Sequence, residues 1–309
     1  MQELSVFAGH LDVYSRGTEI IEKMLRVSSS SATIYRVSDY YGQQLEKLLD
    51  EPVEARPIDD DQVVYVEIDG SMIFTDKQWR EVKLARVFRS DEIKDSAGDE
   101  RGQSIEHSEY TAHLGGHEAF VNKLNISTDK YADLGKRLVF INDGARWIEQ
   151  YVSRRYPQAT RILDFYHAVE YLGGFAQVAF GDANERSRWV AAQKALLLAG
   201  RVESVIDTVA AFEKEAPADV KEQAQRVTGY YRANRDRMRY DEYIKRGLSI
   251  GSGAIESAHR TVVQRRMKLS GQRWTNPGAE HMLNLRVCSL SGKWNLLEDL
   301  IKHQSPIAA

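Results

Sequence analysis

Two stretches, Val63-Val64-Tyr65-Val66-Glu67-Ile68-Asp69-Gly70 and Leu138-Val139-Phe140-Ile141-Asn142-Asp143-Gly144, each run an apolar segment into an Asp-Gly pair. Short apolar runs bounded by turn residues read as buried strands. Glycine lets the chain turn and leaves the preceding carboxylate exposed, so Asp69 and Asp143 are expected at strand ends. A third acid, Glu256, opens a basic helix in Ser252-Gly253-Ala254-Ile255-Glu256-Ser257-Ala258-His259-Arg260. Two carboxylates on strands and one on a helix suit a pair of divalent cations about 4 Å apart, which activate water and stabilise a leaving oxygen. Each acid also has a plain structural role. Asp-Gly commonly caps a strand, and Asp143 suits the N-cap of the helix containing Trp147. Glu256 complements a helix dipole and pairs with Arg260 at i,i+4.

Around these acids the pattern predicts an α/β fold with a mixed sheet. Strands are expected at Val63–Ile68, Ser71–Thr75, Glu81–Phe88, Arg137–Ile141 and Thr160–Leu163. Helices are expected over His107–Leu124, Ala145–Tyr156 and from Phe165 to Phe180, with a polar loop at 90–104. Residues 1–49 read as helical and helix-turn-helix-like around Ser28–Ser31, with Thr33, Tyr35, Arg36 and Ser38 facing a groove. A plain helical hairpin is the alternative. Residues 50–61, acidic with Pro52 and Pro57, read as a linker. The catalytic domain is expected at 62–181 and 247–294, interrupted by an all-α insertion at 182–246, because a structureless loop of that length is implausible. Residues 295–309 form the C-terminal tail.

Two basic patches stand out. Arg260, Arg265, Arg266, Lys268 and Arg273 precede Trp274. Arg232, Arg235, Arg237 and Arg239 are interleaved with Tyr230, Tyr231, Tyr240 and Tyr243. Basic groups with aromatics suit phosphate neutralisation and stacking on unpaired bases; the ordinary alternative is a solvated helix face. On the Glu256 helix, Glu256, Arg260, Gln264 and Lys268 form one i,i+4 stripe, beside an apolar stripe of Ile255, Ala258, Val262 and Leu269. Asp164-Phe165-Tyr166-His167 ends the last strand. His167 suits a phosphate contact or proton donor, or a core histidine. His113 and His117 are four apart without the glutamate of a metalloprotease helix.

The chain has 309 residues, 42% hydrophobic and 28% charged, with a formal net charge of −3. That is an ordinary globular composition, mildly against a nucleic-acid binder overall, but the positive charge is concentrated. No apolar stretch approaches the roughly 20 residues that span a bilayer. The N-terminus lacks a signal-peptide pattern, so a cytoplasmic location is expected. A single cysteine, Cys288, excludes an internal disulfide framework and a cysteine zinc cluster.

These residues resemble the DDE transposases of bacterial insertion sequences, in the Mutator-like superfamily and closest to the Kra-type family. The resemblance rests on Val66–Gly70 with Trp79–Leu84, Ile141–Ile148, Ile162–Ala168, Arg237–Tyr240, Ile250–Ala258 and Gly271–Trp294, in order. It implies an RNase H-like catalytic fold with a helical insertion. It implies that Asp69, Asp143 and Glu256 bind two Mg²⁺ or Mn²⁺ ions, with Asp164 and His167 in support. It implies cleavage and strand transfer on double-stranded DNA, at transposon ends and target, by a homodimer or larger assembly on the nucleoid. Family members carry a longer N-terminal region, which points to a truncated copy keeping one helix-turn-helix. A nuclease that cuts without joining, and an inactive transposon-derived DNA-binding protein, are the alternatives.

Overall fold

The computed structural model describes residues 1–52, 57–95 and 103–303. Its first half comprises helices α1 (Gln2–Leu11), α2 (Tyr14–Leu25) and α3 (Ser31–Leu49), strands β1 (Val64–Thr75), β2 (Gln78–Arg89), β3 (Ile93–Asp95), β4 (Gln103–Ile105) and β5 (Glu109–Leu114), and helix α4 (His117–Thr128). Then come β6 (Leu138–Asn142), α5 (Arg146–Arg155), β7 (Thr160–Leu163) and α6 (Phe165–Ala179). Helices α7 (Ala183–Leu198), α8 (Val202–Ala210), α9 (Phe212–Glu215), α10 (Ala218–Asn234) and α11 (Tyr240–Lys245) follow. The chain ends with α12 (Gly253–Ala258), a π-helical segment His259–Gln264, α13 (Arg265–Met267), α14 (Asn276–Leu290) and α15 (Trp294–His303). The fold is mixed α/β, with a five-stranded sheet in the order β5-β2-β1-β6-β7 and a separate β3-β4 pair. The chain divides into two compact units, Met1–Leu138 with Ala254–Ala309, and Val139–Gly253. Among the described residues, no helix is long and apolar enough to cross a membrane.

In the first unit, β1 and β2 form a long antiparallel hairpin, and β5 pairs with β2. The expected break at Asp69-Gly70 does not occur: β1 runs straight through, and Asp69 pairs with Leu84. The turn lies at Asp76-Lys77, both with positive φ (46° and 67°). A two-residue hairpin loop needs that conformation to match strand twist. Gly70 instead serves a close approach, since a Cβ there would meet the Glu81 carboxylate.

Two further expectations are corrected. Residues 109–114, expected as helix, are strand β5, because pairing with β2 overrides local preference and Gly115-Gly116 separate it from α4. Part of the expected loop at 90–104 is regular, with β3 paired to β4; residues 96–102 lie outside the described ones, as do 53–56 of the acidic linker and 304–309 of the tail.

The N-terminal region is three helices, and they belong to the same unit as β1–β5. Ser30 caps α3, its hydroxyl accepting from Thr33 N at 3.1 Å. Ile34, Val37, Tyr41 and Leu45 recur at helical spacing and are buried. They bring α3 against α14, where a Cβ on Gly42 would meet the His281 carbonyl and Asn284 Nδ2 donates to Gly42 O at 3.0 Å.

Glu280 on α14 ties the same unit together. Its carboxylate accepts from Leu114 N (2.8 Å) and Lys123 Nζ (2.9 Å), and lies 2.8 Å from His113 Nδ1. Burial alone would raise its pKa, but the His113 hydrogen bond and the Lys123 charge prevail and hold it at about 2. A depressed acid contributes stability above its unfolded value, lost as pH falls through the folded one. Glu280→Ala is therefore expected to lower stability by roughly 3–5 kcal/mol near neutrality, as for a broken buried pair. The deficit relative to wild type should shrink between about pH 4.5 and pH 2, with 4.5 the ordinary value of the group. Denaturant titrations at pH 7 and pH 3 check this; a deficit that does not change with pH would contradict it.

In the second unit, β6 and β7 are parallel and joined by α5, a βαβ element. Residues 183–245 carry α7–α11, as the composition predicted. Helix α10 packs on α6 and α8, and Tyr231 donates its hydroxyl to Ala168 O at 2.8 Å. Phe175 meets Trp189 and Phe212 at centroid distances of 5.2 Å, filling the helical layer.

Candidate functional site

One face of β1 carries Glu67, Asp69 and Ser71, because alternate residues of a strand share a face. Each meets the segment 255–268. Glu67 Oε2 accepts from Ile255 N at 2.7 Å. Asp69 Oδ2 lies 3.5 Å from His259 Nε2. Ser71 Oγ accepts from Lys268 Nζ at 2.6 Å. The strand thus aligns Asp69 with the segment that bears Glu256, and all of these residues lie in one unit.

The alignment is held by two buried charges. Glu67 is 1% exposed and stands opposite Arg86 in the hairpin register. Arg86 Nη1 donates to Ala254 O at 2.9 Å, and its Nε donates to Ser108 Oγ at 2.8 Å. Ala254 C=O and Ile255 N–H are the two polar ends of one peptide group. Glu67 and Arg86 grip both ends, and the N–H is one that a helix start leaves without an intrahelical partner. Glu256 follows directly and is exposed. Neither clamp residue was singled out by the sequence reading. The available signal was a glutamate inside an otherwise apolar strand, a position tolerated only with partners.

His259 was also missed. It is 4% exposed, faces Asp69, and burial lowers its pKa to about 4. It opens the π-helical segment, in which Arg265 N reaches back to Arg260 O. A π turn interrupts the i,i+4 spacing expected from Glu256 to Lys268. Glu256, Arg260, Gln264 and Lys268 nevertheless all remain exposed. No Glu256–Arg260 ion pair forms among the described residues. Of the apolar stripe, Ile255, Ala258 and Val262 are buried, but Leu269 is 36% exposed, since the regular helix has ended at Met267.

The basic residues divide by burial. Arg260, Arg265, Lys268 and Arg273 are exposed. Arg266 is not: it is 1% exposed, donates to Gly9 O at 2.8 Å and lies against Tyr14 and Trp274. Of the helix-turn-helix residues, Tyr35 and Arg36 are exposed and Thr33 half-buried, while Ser38 is buried where a Cβ on Gly9 would meet its hydroxyl.

In the second unit, Asp143 directly follows β6. It does not cap α5, whose N-cap is Ala145; instead its Oδ1 accepts from Ala145 N at 3.0 Å, closing a tight turn. Trp147 lies in the first turn of α5, partly buried. Gly144 leaves room for Tyr230, whose ring a Cβ there would strike. Burial raises the Tyr230 pKa, and the neighbouring Tyr171 and Asp143 add to it.

Arg237, expected on a DNA face, is 4% exposed. Its Nη1 donates to Asn142 Oδ1 at 3.0 Å and lies 3.4 Å from Glu149 Oε2. It secures the strand end that precedes Asp143. Arg237→Ala is expected to cost about 2–3 kcal/mol of stability, the scale of hydrogen bonds to a buried charge. Alanine at exposed Arg235 or Arg239 should leave stability near wild type. Thermal melts check the contrast; an Arg237→Ala protein with unchanged melting would contradict it.

Tyr231, Tyr240 and Tyr243 are buried too, so three of the four tyrosines interleaved with this patch pack inside, while Tyr230 is partly exposed. Tyr240 and Tyr243 donate to the β7 carbonyls Leu163 O and Arg161 O, both at 3.1 Å.

Asp164 is the N-cap of α6, accepting from Tyr166 N (2.7 Å) and His167 N (3.4 Å). Its other oxygen accepts from the Ser252 hydroxyl, and Phe165 N donates to Ile250 O at 2.9 Å. Residues 164–165 and 250–252, which belong to two of the quoted motifs, are thereby joined. His167 is half-exposed rather than in the core, 3.5 Å from Glu170.

Among the described residues, no group of three or more His, Cys, Asp and Glu stands together at metal-holding distance. No protein-family model matches the chain, and no curated protein sequence matches it.

Proposed function

We propose that this chain is a metal-dependent DNA strand-processing enzyme of the DDE transposase type on an RNase H-like fold. The observation that carries the reading is the Asp69 face of β1 aligned with the Glu256 segment, through the peptide gripped by Glu67 and Arg86. The antiparallel β1-β2-β5 meander and the parallel β6-β7 pair, in one mixed sheet, support the fold assignment. Asp69, Asp143 and Glu256 are the proposed acidic set. They offer only hard oxygen donors, which suits Mg²⁺ or Mn²⁺. Bound there, such cations supply water activation at neutral pH and charge neutralisation at the leaving oxygen.

The chain's own residues do the remaining work. Arg260, Arg265, Lys268 and Arg273 bind and orient the DNA backbone. Lys268, tied to Ser71, places one positive charge beside the Asp69 strand. Asp164 and Ser252 fix the approach to α12, and Arg237 fixes the end of β6. In the first step a water oxygen attacks the phosphorus at the element end, and the bond to the 3′ oxygen breaks, freeing a 3′-hydroxyl. That hydroxyl then attacks a target phosphodiester in line, exchanging one ester bond for another. Such an enzyme works in the cytoplasm on the nucleoid, as a dimer or larger assembly on paired ends.

Strand transfer tests the joining step. A labelled element-end oligonucleotide with a free 3′-hydroxyl is incubated with a circular plasmid, the protein and Mg²⁺. Label covalently joined to the plasmid is expected. Cutting without joining would assign the chain to the nucleases instead.

A further inference from the structure

A cavity of about 400 Å³ opens in the first unit where the corner between α1 and α2, helix α3 and residues 272–278 meet. Its walls include Tyr14, Tyr35 and Trp274, with Arg266, Gln272 and Arg273. Tyr14 and Tyr35 meet edge to face, with centroids 5.5 Å apart. The Arg266 guanidinium lies 4.7 Å from the Tyr14 centroid and 5.0 Å from that of Trp274. The two rings are therefore set in place by a buried cation, itself anchored on Gly9 O. Arg266 Nη2 is buried without a hydrogen-bond partner.

We propose that this cavity receives a single unpaired nucleobase of bound DNA; the proposal rests on the reading of the chain as a DNA strand-processing enzyme. Pockets for extruded bases combine stacking on aromatic rings with hydrogen bonds to the base edge. Tyr35, 41% exposed, and Trp274 supply stacking surface at the mouth and wall. Gln272 accepts from Leu269 N at 3.3 Å through its amide oxygen and keeps its –NH₂ donors for an edge. Arg273 is exposed and cationic beside the opening, suited to the phosphate that an extruded nucleotide carries. Among the described residues none of those lining the cavity is acidic, and the Asp39 carboxylate lies beside Gly278. The exposed Arg260, Arg265 and Lys268 belong to the chain segment leading to Trp274, so one stretch supplies both the backbone-binding charges and a wall of the cavity.

Three labelled duplexes of one sequence test the proposal by fluorescence anisotropy: fully paired, with one bulged nucleotide, and with one bulged abasic site. The abasic control separates a seated base from a merely flexible backbone. Wild-type full-length protein is expected to bind the base bulge about tenfold more tightly than the abasic bulge, the scale of one stacked base. Tyr35→Ala removes an exposed ring and should keep the fold, judged by an unchanged melting temperature. It is expected to bring that ratio near one, whatever its effect on affinity for the paired duplex. Gln272→Ala should reduce the ratio partly. A wild-type ratio of one, or an undiminished ratio in Tyr35→Ala, would overturn the pocket while leaving the DNA reading intact. No binding to any duplex would overturn both.

Discussion

Asp69→Ala is expected to lower Mg²⁺-dependent DNA cleavage by at least about 10³-fold, the scale of several kcal/mol of metal-dependent transition-state stabilisation. Stability should change little, because the Asp69 side chain is partly exposed on the strand rather than packed in the core. Binding to DNA should also persist, since the exposed Arg260, Arg265, Lys268 and Arg273 remain. Titration of Mn²⁺ into the variant by calorimetry gives a second readout, and weakened binding is expected there. Cleavage at the wild-type rate with wild-type metal affinity would remove Asp69 from the proposed acidic set.

The clamp should be the second most sensitive point. Arg86→Ala removes a buried cation that donates to the Ala254 carbonyl and the Ser108 hydroxyl. Losing a hydrogen bond made by a buried charge typically costs about 1.5–3 kcal/mol. Glu67→Gln keeps an oxygen able to accept from Ile255 N and should cost less. If the clamp positions Glu256, cleavage by folded Arg86→Ala should fall roughly 10²-fold, as small displacements from productive geometry do. The melting temperature gives the folded fraction, and single-turnover cleavage well below it gives the rate. A fall in cleavage no larger than the loss of folded protein would make the clamp purely structural. An unchanged melting temperature would contradict the energetic account of it.

Much of the strand framework was legible because apolar runs between turn residues have few alternatives. Val63–Ile68 and Arg137–Ile141 were expected as buried strands, and β1 and β6 each begin within one residue of them. The parts that were not legible depend on distant partners. Residues 109–114 became a strand because β2 offers an edge, and nothing within those six residues announces it. Arg266 and Arg237 looked like phosphate contacts by charge and spacing. Their burial is decided by Gly9 O in one case and by Asn142 and Glu149 in the other, far away in sequence. The π turn after Ala258 likewise altered a spacing that simple helical periodicity predicted.

The acids show the same division. Asp69, Asp143 and Glu256 were singled out from local pattern; Asp143 follows its strand directly, as expected, whereas Asp69 lies within its strand rather than at its end. The residues that orient the Glu256 segment were not, because Glu67 and Arg86 become meaningful only through the cross-strand register and one peptide group at 254–255. Asp164, noted as part of a motif, acquired a physical role once its two oxygens were seen to serve the α6 N-terminus and Ser252.

The most direct measurement is nicking of a supercoiled plasmid that carries the chain's own gene with its flanking DNA, with and without Mg²⁺, by wild type beside Glu256→Ala. The account predicts open circles with wild type and Mg²⁺ only, and none above background with the variant. Equal nicking by Glu256→Ala, or none by folded, DNA-bound wild type with Mg²⁺ or Mn²⁺, would contradict it.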